Sequence, residues 1–117
     1  MRITRTAHLQ RAQQAIRREI RDPALSPESV ARVCGISKRY LHDLFSETGT
    51  TVAQHIRETR LQAARDMLQM PGDLSLAGIA YQLGFCDQAQ FSRQFRAFFG
   101  QTPRDYRNAC RARQPQG

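Results

Sequence analysis

Apolar residues recur along this chain at the three- and four-residue spacing of helices packed on one side. Leu9, Ala12, Ile16 and Ile20 form the first such stripe and predict a helix over Ala7 to Arg21. Asp22-Pro23 ends it, because the residue before a proline is pushed out of the helical region. Ser26-Pro27 reads as the next start: a serine caps free amides, and proline at the first helical position loses no hydrogen bond. Leu25 and Val30 occupy the two positions of a hydrophobic staple. That helix is short, running to Cys34, and Gly35 stops it in a left-handed conformation. Ser37 caps a third helix, Lys38 to Thr48, packed through Tyr40, Leu41, Leu44 and Phe45, with Gly49 as its stop. Thr51 and Gln54, at capping-box spacing, open the longest helix, Val52 to Gln69. Val52, Ile56, Ala63, Ala64, Met67 and Leu68 make its packing side, and Pro71-Gly72 ends it. At 1.5 Å per residue it is roughly 27 Å long.

The earlier pattern then returns. Leu74-Ser75 repeats the staple and cap, with Ile79 as the partner of Leu74, and Gly84 ends this short helix. Asp87 caps a helix over Gln88 to Phe98, with Gln90 at the box position and Phe91, Phe95 and Phe98 inside. Gly100 stops it, and Thr102-Pro103 starts a short last helix docked by Tyr106 and Ala109. Ser26, Val30, Ala31, Cys34 and Gly35 correspond at an offset of 49 to Ser75, Ile79, Ala80, Leu83 and Gly84. Ser37, Leu41 and Phe45 correspond at an offset of 50 to Asp87, Phe91 and Phe95. Each copy is a short helix, a glycine turn and a second helix, with a small residue, Ala31 or Ala80, where helices approach closely. That is helix-turn-helix grammar, and two copies at nearly fixed offset are stronger than one. The expected organisation is an all-α chain: a first subdomain over 7–50, a linker helix over 51–70, a second subdomain over 71–112 and a loose tail over 113–117.

Charge turns this pattern toward a polyanion. The 117 residues carry 18 Lys plus Arg against 10 Asp plus Glu, a formal charge of +8, and all the basic residues except Lys38 are arginine. Arginine forks suit phosphates and guanine edges, and equally salt bridges. Cys34, Cys86 and Cys110 are far apart, with no metal-ligand spacing. Cys34 and Cys86 sit among apolar neighbours and read as buried free thiols, which fits a reducing cytoplasm. No apolar run is long enough for a membrane span, and no apolar signal core opens the chain. No cofactor or metal is expected.

In a helix-turn-helix unit the second helix enters the major groove of double-stranded DNA. Packing of Leu41, Leu44 and Phe45 leaves Lys38, Arg39, His42, Asp43 and Ser46 outward; packing of Phe91, Phe95 and Phe98 leaves Gln88, Ala89, Gln90, Arg93, Gln94 and Arg96. Glutamine can bond adenine bidentately and arginine guanine, which makes Gln88, Gln90 and Arg93 candidate readers, Gln90 having a rival role bonding back to Asp87. Arg96 is either a phosphate contact or part of an internal ion pair. Arg39 suits a base or a phosphate, Lys38 a phosphate or plain solvent, and His42 a base edge. Asp43 repels phosphate, and it either accepts from cytosine N4 or forms an ion pair with Lys38, Arg39 or another nearby basic residue. Thr51, Gln54 and Thr102, at helix N-termini, are candidates for both capping and phosphate contact. Two readers joined by the long helix would reach successive major grooves, about 34 Å apart on one DNA face.

The stretch IAYQLGFCDQAQFSRQFRAFFGQTPRDYR, from Ile79 to Arg107, resembles the DNA-binding domain of AraC/XylS-type bacterial transcription regulators. Ile79-Ala80, Gly84-Phe85, Phe91-Ser92-Arg93, Phe95-Arg96, Phe99-Gly100, Pro103 and Tyr106-Arg107 carry the resemblance. SPESVARVCGISKRYLHDLF agrees in the first half, and Ile56, Arg60, Leu61, Ala64 and Leu68 agree in the linker, so that about Ile16 to Arg107 is covered. The resemblance implies a bilobed domain of seven helices that reads DNA through Arg39, His42 and Asp43 on one helix and Gln88, Ala89, Gln90 and Arg93 on another. It also implies transcription activation, often through contact with RNA polymerase. Three residues depart from the pattern: Asp43 stands where a basic residue is common, Ala89 where a serine is common, and His55 where an aromatic is usual. Most members carry a separate sensory or dimerisation domain, for which these 117 residues leave no room; a stand-alone member, an excised domain and a truncated product all fit.

The expected function is therefore sequence-specific transcription regulation by a nucleoid-associated cytoplasmic protein. An architectural DNA binder and a helical protein-interaction module are the alternatives. An enzyme is not expected, because no nucleophile or metal spacing joins the adjacent His42 and Asp43.

Overall fold

Thr4 starts the first helix: its side-chain oxygen accepts from the Ala7 amide at 3.1 Å. In the computed structural model, which describes residues 4–113, seven helices follow among those residues. They are α1 (Arg5–Arg18), α2 (Pro27–Cys34), α3 (Lys38–Ser46), α4 (Val52–Gln69), α5 (Leu76–Gln82), α6 (Gln88–Phe99) and α7 (Pro103–Arg113). The fold is all-α, and none of the helices is long and apolar enough to cross a membrane. Arg113 is the last residue of α7, and the rest of the expected tail lies outside the described residues.

Helices with strong local punctuation run where the pattern predicts. Ser26 and Ser29 exchange bonds of 2.9 and 3.1 Å to close a capping box at α2, and Gly35 leaves that helix at φ +67°. Thr51 and Gln54 do the same for α4, with reciprocal bonds of 3.0 and 3.1 Å. Elsewhere the ends shift. The cap at Thr4 starts α1 two residues before the expected Ala7. Its end comes at Arg18 rather than Arg21, because the chain turns at once toward Pro23, with the Asp22 amide bonded to Glu19 O at 2.9 Å. The α3 helix stops at Ser46 rather than Thr48, since the Thr48 amide and hydroxyl both fold back onto Phe45 O, at 2.9 and 2.7 Å.

The described residues divide into two units between Thr59 and Arg60, inside α4. In the first unit Ala12, Ile16 and Ile20 of α1 and its exit turn meet Val30 and Ala31 of α2, Leu41 and Phe45 of α3, and Val52 and Ile56 of α4. In the second, Leu61, Ala64 and Leu68 of α4 meet Ile79 and Ala80 of α5, the adjoining Leu83, and Phe91 and Phe95 of α6. Leu61, which the expected stripe omits, is fully packed. Burying a side chain of the size of Phe91 or Phe95 stabilises a fold by roughly 1.5–3 kcal/mol relative to exposure, so each small core rests on a few large residues.

Two expectations about burial are corrected. Phe98 was expected inside, yet it is 41% exposed. Phe99 takes the inner place, against Phe95 at 4.6 Å between ring centroids and under the Arg65 guanidinium at 5.0 Å. Cys86 is exposed and Cys34 half-buried; Cys86 sits in the turn just before the cap of α6, where no second element covers it.

Candidate nucleic-acid interface

Each presumed reading helix has a capped start and a packed side that fixes which residues face out. Ser37 accepts from the Tyr40 amide at 3.0 Å and Asp87 from the Gln90 amide at 2.7 Å. Leu41, Leu44 and Phe45 are buried in α3, which leaves Lys38, Arg39, His42 and Asp43 exposed. Phe91 and Phe95 are buried in α6, which leaves Gln88, Ala89, Arg93 and Arg96 exposed. At about 100° per residue, Arg93 lies nearly opposite the Phe91/Phe95 stripe, and Asp43 lies nearly opposite the Leu41/Leu44/Phe45 stripe.

Gln90 differs from its expected role. Its side-chain oxygen accepts from the amide of Cys86, at 2.8 Å, and not from that of Asp87. The side chain thereby ties the turn to α6 and is half-buried. Gln94 is half-buried as well, so that of the six residues expected to face outward on α6, Gln88, Ala89, Arg93 and Arg96 are exposed.

The outward charges of α3 are engaged. Lys38 is paired with Glu28 of α2, and donation from its ammonium holds the Glu28 carboxyl down at about 2. Asp43 is paired with Arg5, at 3.1 Å, and the same guanidinium meets Glu47 at 3.0 Å and lies 5.8 Å from the Tyr40 ring centroid. An ion pair was one of the two roles open to Asp43, but its partner comes from α1, a residue that sequence reasoning left outside any helix.

Thr51 and Gln54 spend their side chains on the capping box, and Thr102 accepts from the Asp105 amide at 3.1 Å. The remaining first-turn amides point along the helix axis, where an anion is favoured. Gln88 and Thr102 are brought together: with Ser92, Pro103 and Arg104 they line an open hollow of about 350 Å³ between the starts of α6 and α7.

Several arginines of the second unit turn out to be structural. Arg107 donates to Leu74 O and Arg111 to Gly72 O at 3.3 Å, so α7 holds the turn between α4 and α5. Burial pushes the Arg107 guanidinium below its ordinary value. No sequence signal marked these arginines as structural, because their acceptors are loop carbonyls more than thirty residues away.

The helix-turn-helix domain family matches residues 30–109, which takes in both turns. The transcriptional regulator from Chromobacterium violaceum described as having an AraC-type DNA-binding domain superposes with a TM-score of 0.85 at 32% identity, covering 95% of this chain and 96% of that one. The chain belongs to the AraC/XylS family of helix-turn-helix regulators. The chain is similar to regulatory protein SoxS of Escherichia coli, 39% identical over 88 residues that make 74% of this chain and 81% of SoxS. Transcriptional activator NphR of Rhodococcus is 39% identical over 103 residues, 88% of this chain and 30% of NphR. The DNA-binding domain of AdpA, solved in complex with a target DNA, superposes with a TM-score of 0.77 at 27% identity, covering 93% of this chain and 97% of that one. The chain spans about 30% of the length of NphR and 24% of that of a second relative, GlxA of Rhizobium meliloti. As a member of this family the chain carries a helix-turn-helix domain of the AraC DNA-binding type.

Proposed function

We propose that the domain binds two unlike DNA elements in successive major grooves and activates transcription from the site so marked. Helix α3 would read through Arg39, His42 and Asp43 with Lys38 near phosphate, and α6 through Gln88, Ala89 and Arg93 with Arg96 on the backbone. Gln90 would reach a base only with its amide nitrogen, its oxygen being held by Cys86. Thr51, Gln54 and Thr102 would bring the starts of α4 and α7 to phosphates. The observation that carries this reading is the outward face of α6: an exposed arginine opposite two buried phenylalanines, on a helix whose start is capped. Activation is supported by relatives described as transcriptional activators, and RNA polymerase and a separate sensory or dimerisation domain are the partners it would need.

Selection of duplexes from random DNA tests the reading. Two enriched elements of unlike sequence, centred about 10–11 base pairs apart, are expected. No enriched sequence would mean an architectural binder, and no retention of DNA at all a protein-interaction module. A single enriched element would leave α6 as the only reader.

A further inference from the structure

The two reading helices are in register at an offset of 50, and at that offset Asp43 stands where Arg93 stands in the second unit. Ser46 likewise stands against Arg96. The outward face of α6 therefore carries two arginines, and the matching face of α3 carries a carboxylate. A second carboxylate, Glu47, follows one turn later. Left bare, this pair would oppose the close approach of a phosphate backbone, since like charges repel most strongly where water is being excluded.

Arg5 offsets part of that charge. It opens α1, and its two terminal nitrogens divide between the two acids, Nη1 to Asp43 Oδ2 at 3.1 Å and Nη2 to Glu47 Oε1 at 3.0 Å. The Tyr40 ring lies beside it, with the guanidinium carbon 5.8 Å from the centroid. A lysine has one ammonium and no fork that would span both acids in this way. Asp43 Oδ1 accepts no bond among the described residues and stays available.

We propose that Arg5 is a positioning residue for DNA recognition: it binds Asp43 and Glu47 together, offsets one of their two negative charges at the groove face of α3, and holds Asp43 in place, so that a phosphate backbone approaches the first reader more closely than the bare carboxylates would allow. The inference rests on α3 being a DNA reader. It predicts that Arg5 acts through the two carboxylates and not by touching DNA itself.

The test is a mutant cycle on the affinity for a duplex obtained by selection, with an unrelated duplex as reference. Circular dichroism and urea denaturation establish that each variant is folded at the assay temperature. Arg5→Ala in the otherwise unchanged protein should weaken binding about fivefold or more, the low end of what one mismatched base pair costs. In the Asp43→Asn/Glu47→Gln background the same Arg5→Ala change should cost little, and Arg5→Lys should fall between. An equal loss in both backgrounds would overturn the inference, because Arg5 would then be a direct phosphate contact. So would an unchanged affinity in Arg5→Ala. If the unaltered protein selects no duplex, the DNA-reading assignment fails first, and this inference falls with it; a protein that binds its duplex and shows no coupling refutes the inference alone.

Discussion

Asp43 and Arg93 hold matching places on the two presumed readers, and at the residue scale they carry opposite expectations. Arg93 has no side-chain bond among the described residues and faces away from the core of its unit. Arg93→Ala should cost about 1–3 kcal/mol of binding to the selected duplex and flatten the preference at one column of its site. An affinity loss of that size with every column intact would make Arg93 a phosphate contact instead. Asp43 is an acceptor, and Asp43→Asn should move one column from cytosine toward adenine, the base whose edge pairs with a carboxamide. Selection repeated with the variant reads this directly, and an unchanged column removes Asp43 from the readers. The outward position of both side chains was legible in the sequence, because it follows from the spacing of Leu41, Leu44 and Phe45 and of Phe91 and Phe95. What held Asp43 was not legible: Arg5 lies 38 residues away, and no local pattern pairs them.

At the scale of helices, the boundaries that could be read were those set by short-range chemistry. The serine cap at Ser26 and the capping box at Thr51 each act within four residues, and α2 and α4 begin where they predict. The misread places are those decided by a neighbour. Either Phe98 or Phe99 continues the Phe91/Phe95 stripe, and Arg65 of α4 lies over Phe99. Gln90 could have closed a box on Asp87, but the turn puts the Cys86 amide within its reach. The cap of α6 should be separable from its charge: Asp87→Ala should cost about 1 kcal/mol of stability and Asp87→Asn much less, measured by urea denaturation. Helix α4 carries a pH dependence as well. His55 packs its ring against Phe45, 5.2 Å between centroids. Burial pushes its pKa below the ordinary 6.5, with Arg17 acting in the same direction and Glu58 against it. Well above 6.5 the ring is neutral folded or unfolded and contributes no pH dependence. As the pH falls through 6.5 the unfolded chain takes up the proton first, so stability declines toward acid. His55→Phe should remove that part of the slope between pH 7 and 5.5 in the first unit's unfolding, whereas an unaltered slope would assign it to other groups.

For the whole molecule the decisive quantity is how much of the +8 charge is free to meet DNA. Arg5 is committed to two acids and Lys38 to one, while Arg107 and Arg111 hold loop carbonyls and Arg65 covers a ring. Counting basic residues therefore overstates the phosphate contacts. Each phosphate neutralised contributes a slope of about −0.9 to the logarithm of affinity against the logarithm of salt, so the slope counts contacts where composition cannot. The salt slope of the unaltered protein should be well below the number of its arginines. Arg96→Ala, on the exposed side of α6, should reduce the slope by about one and weaken specific and unrelated duplexes alike. Arg107→Ala should leave the slope as it is, because its guanidinium is spent on the Leu74 carbonyl, and should instead lower the unfolding midpoint in urea. The outcome reversed, with Arg107 changing the slope and Arg96 only the midpoint, would place the DNA against α7 rather than α6 and would undo the assignment of α6 as the second reader.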